Sequence, residues 1–182
     1  MDIVQLQQKI RDEKKRRNVC ILAHSYQSME IKEIADYVGD SYGLSLQAQT
    51  TQQQSILMCG VRFMAETVKI LSPQKTVILA NSEAGCPMAE QITKEEILEI
   101  KKQHPEYAVV AYVNTTAALK TVCDVCVTSS SAVEIVKKID ATDILFIPDC
   151  NLGSYAARMV PEKRLHFIQG GCPEHAKVTV DD

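Results

Sequence analysis

Ile21-Leu22-Ala23-His24 and Ala111-Tyr112-Val113-Asn114 are two short apolar runs, each ending in a polar residue. Each is followed by an amphipathic stretch and then by a small polar site, Gly39-Asp40-Ser41 in one half and Thr128-Ser129-Ser130 in the other. Further along, Ser55-Ile56-Leu57-Met58 corresponds to Asp143-Ile144-Leu145-Phe146, and Lys75-Thr76-Val77-Ile78 to Arg164-Leu165-His166-Phe167. The offset stays at about 88 to 90 positions, the mark of an internal repeat. Chance similarity between two α/β segments is the alternative, because apolar strands look alike.

Around these runs, short apolar segments alternate with amphipathic ones, the pattern of an α/β protein with parallel strands. Strands are expected at Val19–Ala23, Ile56–Cys59, Thr76–Leu79, Val109–Val113, Val125–Thr128, Ile144–Ile147 and Arg164–Ile168. Helices are expected at Asp2–Arg17, Glu30–Val38, Phe63–Leu71, Thr93–Gln103, Ala117–Val122, Ser131–Ile139 and Leu152–Met159. The predicted architecture is two similar three-layer α/β/α lobes with parallel sheets, residues 1–85 and 86–182.

The 182 residues are 46% hydrophobic with a formal net charge of -3, ordinary for a core-forming globular protein. Basic residues form no stripe, so no nucleic-acid footprint is expected. The one basic run, Lys14 to Arg17, follows Asp12 and Glu13 and reads as a solvated helix end. No apolar run approaches the ~20 residues that span a bilayer, and the amino terminus is a polar helix, so a cytoplasmic location is expected. Seven cysteines in a reducing compartment speak against a disulfide framework; some fit as buried small hydrophobes, and one or more as metal ligands.

In parallel α/β sheets, ligands sit beyond the carboxyl ends of the strands. His24, Ser41, Tyr112, Asn114 and Ser129 all fall at such ends, as a cleft shared by both lobes would require. The helix starts there also supply backbone N–H groups suited to phosphate or carboxylate.

Several motifs resemble the signatures of the quinolinate synthase family, in order and at family spacing. They are His24-Ser25-Tyr26-Gln27, Asp36-Tyr37-Val38-Gly39-Asp40-Ser41, Gly60-Val61-Arg62-Phe63-Met64-Ala65-Glu66-Thr67 and Ala84-Gly85-Cys86-Pro87-Met88-Ala89. Tyr112-Val113-Asn114-Thr115, Thr128-Ser129, Pro148-Asp149-Cys150-Asn151-Leu152-Gly153 and Gly171-Cys172-Pro173-Glu174-His175 continue the series. The resemblance implies three α/β lobes about a pseudo-threefold axis, each giving one cysteine to a central [4Fe-4S] cluster. It also implies the transferase reaction of NAD biosynthesis that joins iminoaspartate to dihydroxyacetone phosphate, releasing phosphate and water and yielding quinolinate. One cluster iron is left free to act as a Lewis acid.

What the resemblance implies for single residues is specific. Cys86 matches a cluster ligand, and His24 a substrate-binding histidine that hydrogen-bonds a carboxylate. Tyr26 becomes a proton donor or positioner, against core packing as the alternative. Ser41, Tyr112, Asn114 and Ser129 match iminoaspartate contacts, with the backbone of Val113 in the same strip; by themselves these would be turn or cap residues. Cys123 and Cys126 form a lone C-x-x-C with no second pair, which reads as structural. Cys150 and Cys172 are held in reserve as thiols outside the family's ligand positions. Glu66 and Lys69 read as a solvated helical pair, Met64 and Met88 as packing residues, and Asp149 as a helix cap.

Departures within the matched region are mild: Ser25, Asn81 and Ser131 replace more usual residues. The larger one is that no third lobe, with its His-Pro-Glu-Cys segment, follows Asp182. The expectation is therefore an incomplete synthase chain, with only one of three cluster ligands present and full activity only with a separate partner. The expected partners are a second copy, through exposed lobe faces, or a separate third-lobe chain; identical copies bring only the same two lobes and do not by themselves repair the missing ligands. The alternative from another class is a two-lobed, non-catalytic relative that binds a small dicarboxylate or phosphate ester.

Overall fold

The computed structural model describes residues 2–181. They fall into two units, Met1–Gly85 and Cys86–Asp182. In the first, α1 (Ile3–Arg17), β1 (Val19–His24), α2 (Met29–Lys32), β2 (Tyr37–Gly39), α3 (Ser41–Thr50), β3 (Ser55–Cys59), α4 (Arg62–Leu71) and β4 (Thr76–Leu79) follow one another. The second has α5 (Lys94–Gln103), β5 (Ala108–Tyr112), α6 (Ala117–Lys120), β6 (Val125–Val127), α7 (Ala132–Lys138), β7 (Asp143–Ile147), α8 (Cys150–Met159) and β8 (Arg164–Phe167). Each unit holds one four-stranded sheet, ordered β2-β1-β3-β4 in the first and β6-β5-β7-β8 in the second. All strand pairs are parallel. The α/β class and the parallel sheets are as the sequence predicts.

Side-chain alternation explains the layering of the second unit. Val109, Ala111, Leu145 and Ile147 point to one face and pack with Ile97 of α5 and Leu119 of α6. Val110, Ile144 and Phe146 point to the other, against Ala132 and Val136 of α7 and Ala156 of α8. Strands buried on both faces read as near-continuous apolar runs, which is why they stand out in the sequence. Each valine, leucine, isoleucine or phenylalanine among them, fully buried, contributes about 1.5–3 kcal/mol relative to exposure.

The two sheets share one register. Leu22 pairs with Tyr37 and Met58, while Val110 pairs with Val125 and Phe146. Every position is displaced by the same 88 residues (22 to 110, 37 to 125, 58 to 146). Polar anchors repeat at the same step. Asp36 accepts from Ile21 N–H at 2.8 Å and pairs with Lys14, and Asp124 accepts from Val109 N–H at 2.7 Å and pairs with Lys101. Lys75 donates to the carbonyls of Thr51 and Gln53, as Lys163 does to those of Ile139 and Ala141. A repeated side-chain anchor of this kind is far harder to meet by chance than a repeated apolar run. It also corrects the phase of the first match. His24 is the counterpart of Tyr112, not of Asn114, and Tyr26 is the counterpart of Asn114.

Other expectations shift as well. The helix expected at Glu30–Val38 stops at Lys32, and Tyr37–Gly39 is strand β2 instead. Asp36 is the reason: its side chain and its N–H both lock onto the backbone of Ile21, which draws the following residues alongside β1. Helix α3 was not expected at all, because Ser41, Gly43 and Ser45 are weak helix formers. It forms because Asp40 caps it, accepting from Gly43 N–H at 2.8 Å, and because Leu44 and Ala48 are buried. Helix α8 starts at Cys150, two residues early, over an Asp149 side chain that accepts from the N–H groups of Asn151 and Leu152. Lys69 donates to the carbonyls of Pro73 and Lys75, both at 2.7 Å. Met64 and Met88 are buried packing residues, as expected.

Candidate functional site

In a sheet ordered 2-1-3-4, the crossovers that leave the two central strands run in opposite directions. A crevice therefore opens at their carboxyl ends. In the first unit those strands are β1 and β3, and in the second β5 and β7.

His24 ends β1, half-buried, beside Gly39 of β2. Its Nδ1 accepts from Tyr26 N–H at 3.3 Å, which leaves Nε2 to carry the proton of a neutral ring. Burial lowers its pKa from 6.5, with Asp40 pulling the other way. The ring therefore favours the neutral form, with one N–H to offer. Tyr26 is exposed and stands edge-on to the imidazole, with centroids 4.4 Å apart. Ser41 opens α3 and is 7% exposed, with Asp40 before it as cap. His24, Tyr26 and Ser41 thus belong to one end of the first sheet.

The second unit places its counterparts in the same way. Tyr112 ends β5, and its hydroxyl accepts from Asn114 Nδ2 at 3.0 Å. The other amide atom, Oδ1, is buried and has no protein partner, and the hydroxyl of the fully buried Thr115 shares that condition. Among the described residues only Ser72 also carries such an orphaned side-chain atom. An unmet buried acceptor is costly, and a donor brought by a ligand or water relieves it. Val113 offers less than expected, since its N–H is bound to Val127 O and its carbonyl already accepts from Thr115 N–H. Ser129 is exposed in the turn before α7.

The cysteines sort by environment. Cys20 and Cys59 are buried, and burial pushes both thiols up. Cys123 donates to Leu119 O at 3.0 Å and is pushed up to about 12, chiefly by burial and then by Cys126 and Asp124. A thiol so held is a poor ligand, in line with a structural C-x-x-C.

Cys86 and Cys172 differ from these. Each is half-buried, lies in a Gly-Cys-Pro turn after the last strand of a sheet, and has a carbonyl that accepts an N–H four residues on, both at 3.0 Å. The preceding loops are tied alike. Arg62, first residue of α4, donates its N–H to Ala84 O, and Cys150, first residue of α8, donates its N–H to Gly170 O. The two thiols are therefore structural counterparts. No group of three or more His, Cys, Asp or Glu able to hold a metal ion occurs among the described residues.

Residues 8–182 match the family model described as Quinolinate synthetase A protein. The chain belongs to the quinolinate synthetase A family. A quinolinate synthase of Sulfurihydrogenibium sp. is 52% identical over 171 residues, 94% of this chain and 56% of that protein. That of Aquifex aeolicus is 47% identical over 178 residues, 98% of this chain and 55% of its own length. That of Clostridium kluyveri is 49% identical across the whole chain and 60% of that protein. The chain thus spans a little over half the length of the curated relatives it matches.

Within this family member, two features escaped the sequence reading. The signal for Cys172 was present, as a second Gly-Cys-Pro that mirrors Gly85-Cys86-Pro87. The buried orphan atoms of Asn114 and Thr115 left no such trace, because only packing creates them.

Proposed function

We propose that this chain carries two units of a quinolinate synthase, which condenses iminoaspartate with dihydroxyacetone phosphate to quinolinate, phosphate and water. The observation that carries the proposal is the pairing of polar residues across the repeat within a family match. His24, Tyr26 and Ser41 recur in place as Tyr112, Asn114 and Ser129. Each unit so presents three neutral or near-neutral hydrogen-bonding groups, a set that suits a carboxylate that must be held and then released.

Their roles follow from geometry. His24 offers Nε2–H to a carboxylate or carbonyl oxygen, and its partner atom Nδ1 is already occupied. Tyr26, resting on that ring, positions or supplies a proton for the enol-type rearrangements of a triose phosphate. Asn114 Oδ1, unmet in the protein, accepts from an imine or hydroxyl N–H or O–H of the substrate. Ser41 in the first unit, and Tyr112 and Ser129 in the second, offer further hydrogen bonds to a carboxylate.

The donor chemistry fits an iron–sulfur cluster as well. Cys86 and Cys172 present half-exposed thiols from matched turns, and such clusters are held by thiolates. When bound, a [4Fe-4S] cluster with one open iron supplies Lewis acidity toward a substrate oxygen. We place Cys86 and Cys172 as two of its ligands; further donors come from outside the described residues.

Anaerobic reconstitution with iron and sulfide tests the assignment. Iron and sulfide per chain should fall in Cys86→Ala and in Cys172→Ala, and stay at the wild-type level in Cys126→Ala. Equal loading in all four proteins would overturn it.

A further inference from the structure

We infer that Gln91 is a positioning residue that holds the Cys172 loop and links it to the Cys86 turn. This rests on reading both thiols as ligands. The sequence signal is slight: Gln91 stands just past the turn closed by Glu90 N–H on Cys86 O, in an exposed position. Its side-chain amide is nonetheless used at both ends. Nε2 donates to Pro148 O, and Oε1 accepts from Gly171 N–H at 3.2 Å, immediately before Cys172.

Gly170 is shaped for this contact. Its φ of +151° suits glycine, and a Cβ there would stand 2.2 Å from Gln91 Oε1 and 2.5 Å from Cδ. Gly170 O also accepts from Cys150 N–H at 3.2 Å, so the loop is gripped from α8 on one side and from Gln91 on the other.

The first unit shows why a second grip is needed. There Arg62 holds the loop before Cys86 twice, through its N–H to Ala84 O and through Nη2 to Ser82 O at 2.7 Å. At the equivalent place the second unit has Cys150, which retains the backbone bond but has no guanidinium. Gln91 supplies the missing second tie from a different element. In doing so it joins the two thiol-bearing turns in one path, from Cys86 O through Glu90 and Gln91 to Gly171 and Cys172. A displacement of either turn is thereby felt by the other.

The test is site-resolved alkylation of the metal-free chain with iodoacetamide, read by peptide mass spectrometry, with exposed Cys126 as internal reference. Losing two hydrogen bonds frees the loop, so Gln91→Ala should raise the Cys172-to-Cys126 rate ratio about tenfold. Gln91→Glu retains the acceptor for Gly171 N–H but loses the donor to Pro148 O, and its ratio should fall between the two. Thermal melting of both variants should stay close to wild type, since the contacts lie outside the sheet cores. A Cys172 ratio within about twofold of wild type in Gln91→Ala would overturn the inference. So would a rise shared equally by Cys123, half-buried elsewhere in the unit, because that reports general loosening. Iron loading of Cys172→Ala addresses the ligand assignment separately, so the two claims fail by different measurements.

Discussion

Replacing Gly153 by alanine should weaken the second unit. Gly153 lies buried inside α8, where a Cβ would stand 2.6 Å from Cε1 of Phe167 and 2.9 Å from Cδ1 of Phe146. Carbon atoms in contact rest about 3.5–4.0 Å apart, so the rings or the helix must retreat. Phe167 ends an edge strand and is 38% exposed, which lets its ring swing aside; Phe146 is 1% exposed and enclosed. Overpacking of this kind costs about 1–3 kcal/mol, and alanine in a helix interior returns about 1 kcal/mol. The net expectation is a loss of up to about 2 kcal/mol. Urea denaturation followed by far-ultraviolet circular dichroism measures it, as a lower midpoint at unchanged slope. Gly43→Ala is the opposing control: its Cβ meets nothing closer than 3.4 Å, so the helix gain should appear as a stabilisation of up to about 1 kcal/mol. A Gly153→Ala protein stabilised as much as Gly43→Ala would show that α8 does not depend on close approach to the two phenylalanines.

Other expectations address the anchors and the titratable groups. Lys75→Met should cost about 2–4 kcal/mol, because Lys75 is 3% exposed and its ammonium serves two carbonyls that would be left unmet; a change below about 0.5 kcal/mol in urea denaturation would refute this. The folded pKa of His24 is lowered, so its contribution to stability is complete above 6.5 and is lost as pH falls from there through the folded value. Imidazole proton shifts followed by NMR should show that midpoint below 6.5, and Asp40→Asn should lower it further by removing the one charge that raises it. With the Cys123 thiol pushed up to about 12, iodoacetamide at neutral pH should label Cys126 well before Cys123; the reverse order would refute the contrast.

The strands were legible because burial on both faces makes them continuous apolar runs, as Ile144–Ile147 shows. The same property blurred the phase of the repeat, since an apolar run matches another almost equally well one or two places along. The Asp36 and Asp124 anchors, with Lys75 and Lys163, remove that freedom, and a carboxylate captured by a strand N–H is a contact that sequence spacing does not display. Helix α3 was hidden by its glycine and serines, whose weak propensity is overridden by a cap and by Leu44 and Ala48 packing inward. For the site, side chains at strand ends could be read directly, because a parallel sheet fixes where ligands go. The grip of Gln91 on Gly171 could not, because it joins residues far apart in the chain and involves no distinctive residue type.

The Gly-Cys-Pro turns lie beyond the sheets, and neither Cys86 nor Cys172 belongs to a buried apolar cluster. Damage to these sulfurs by oxygen would therefore leave the scaffold standing.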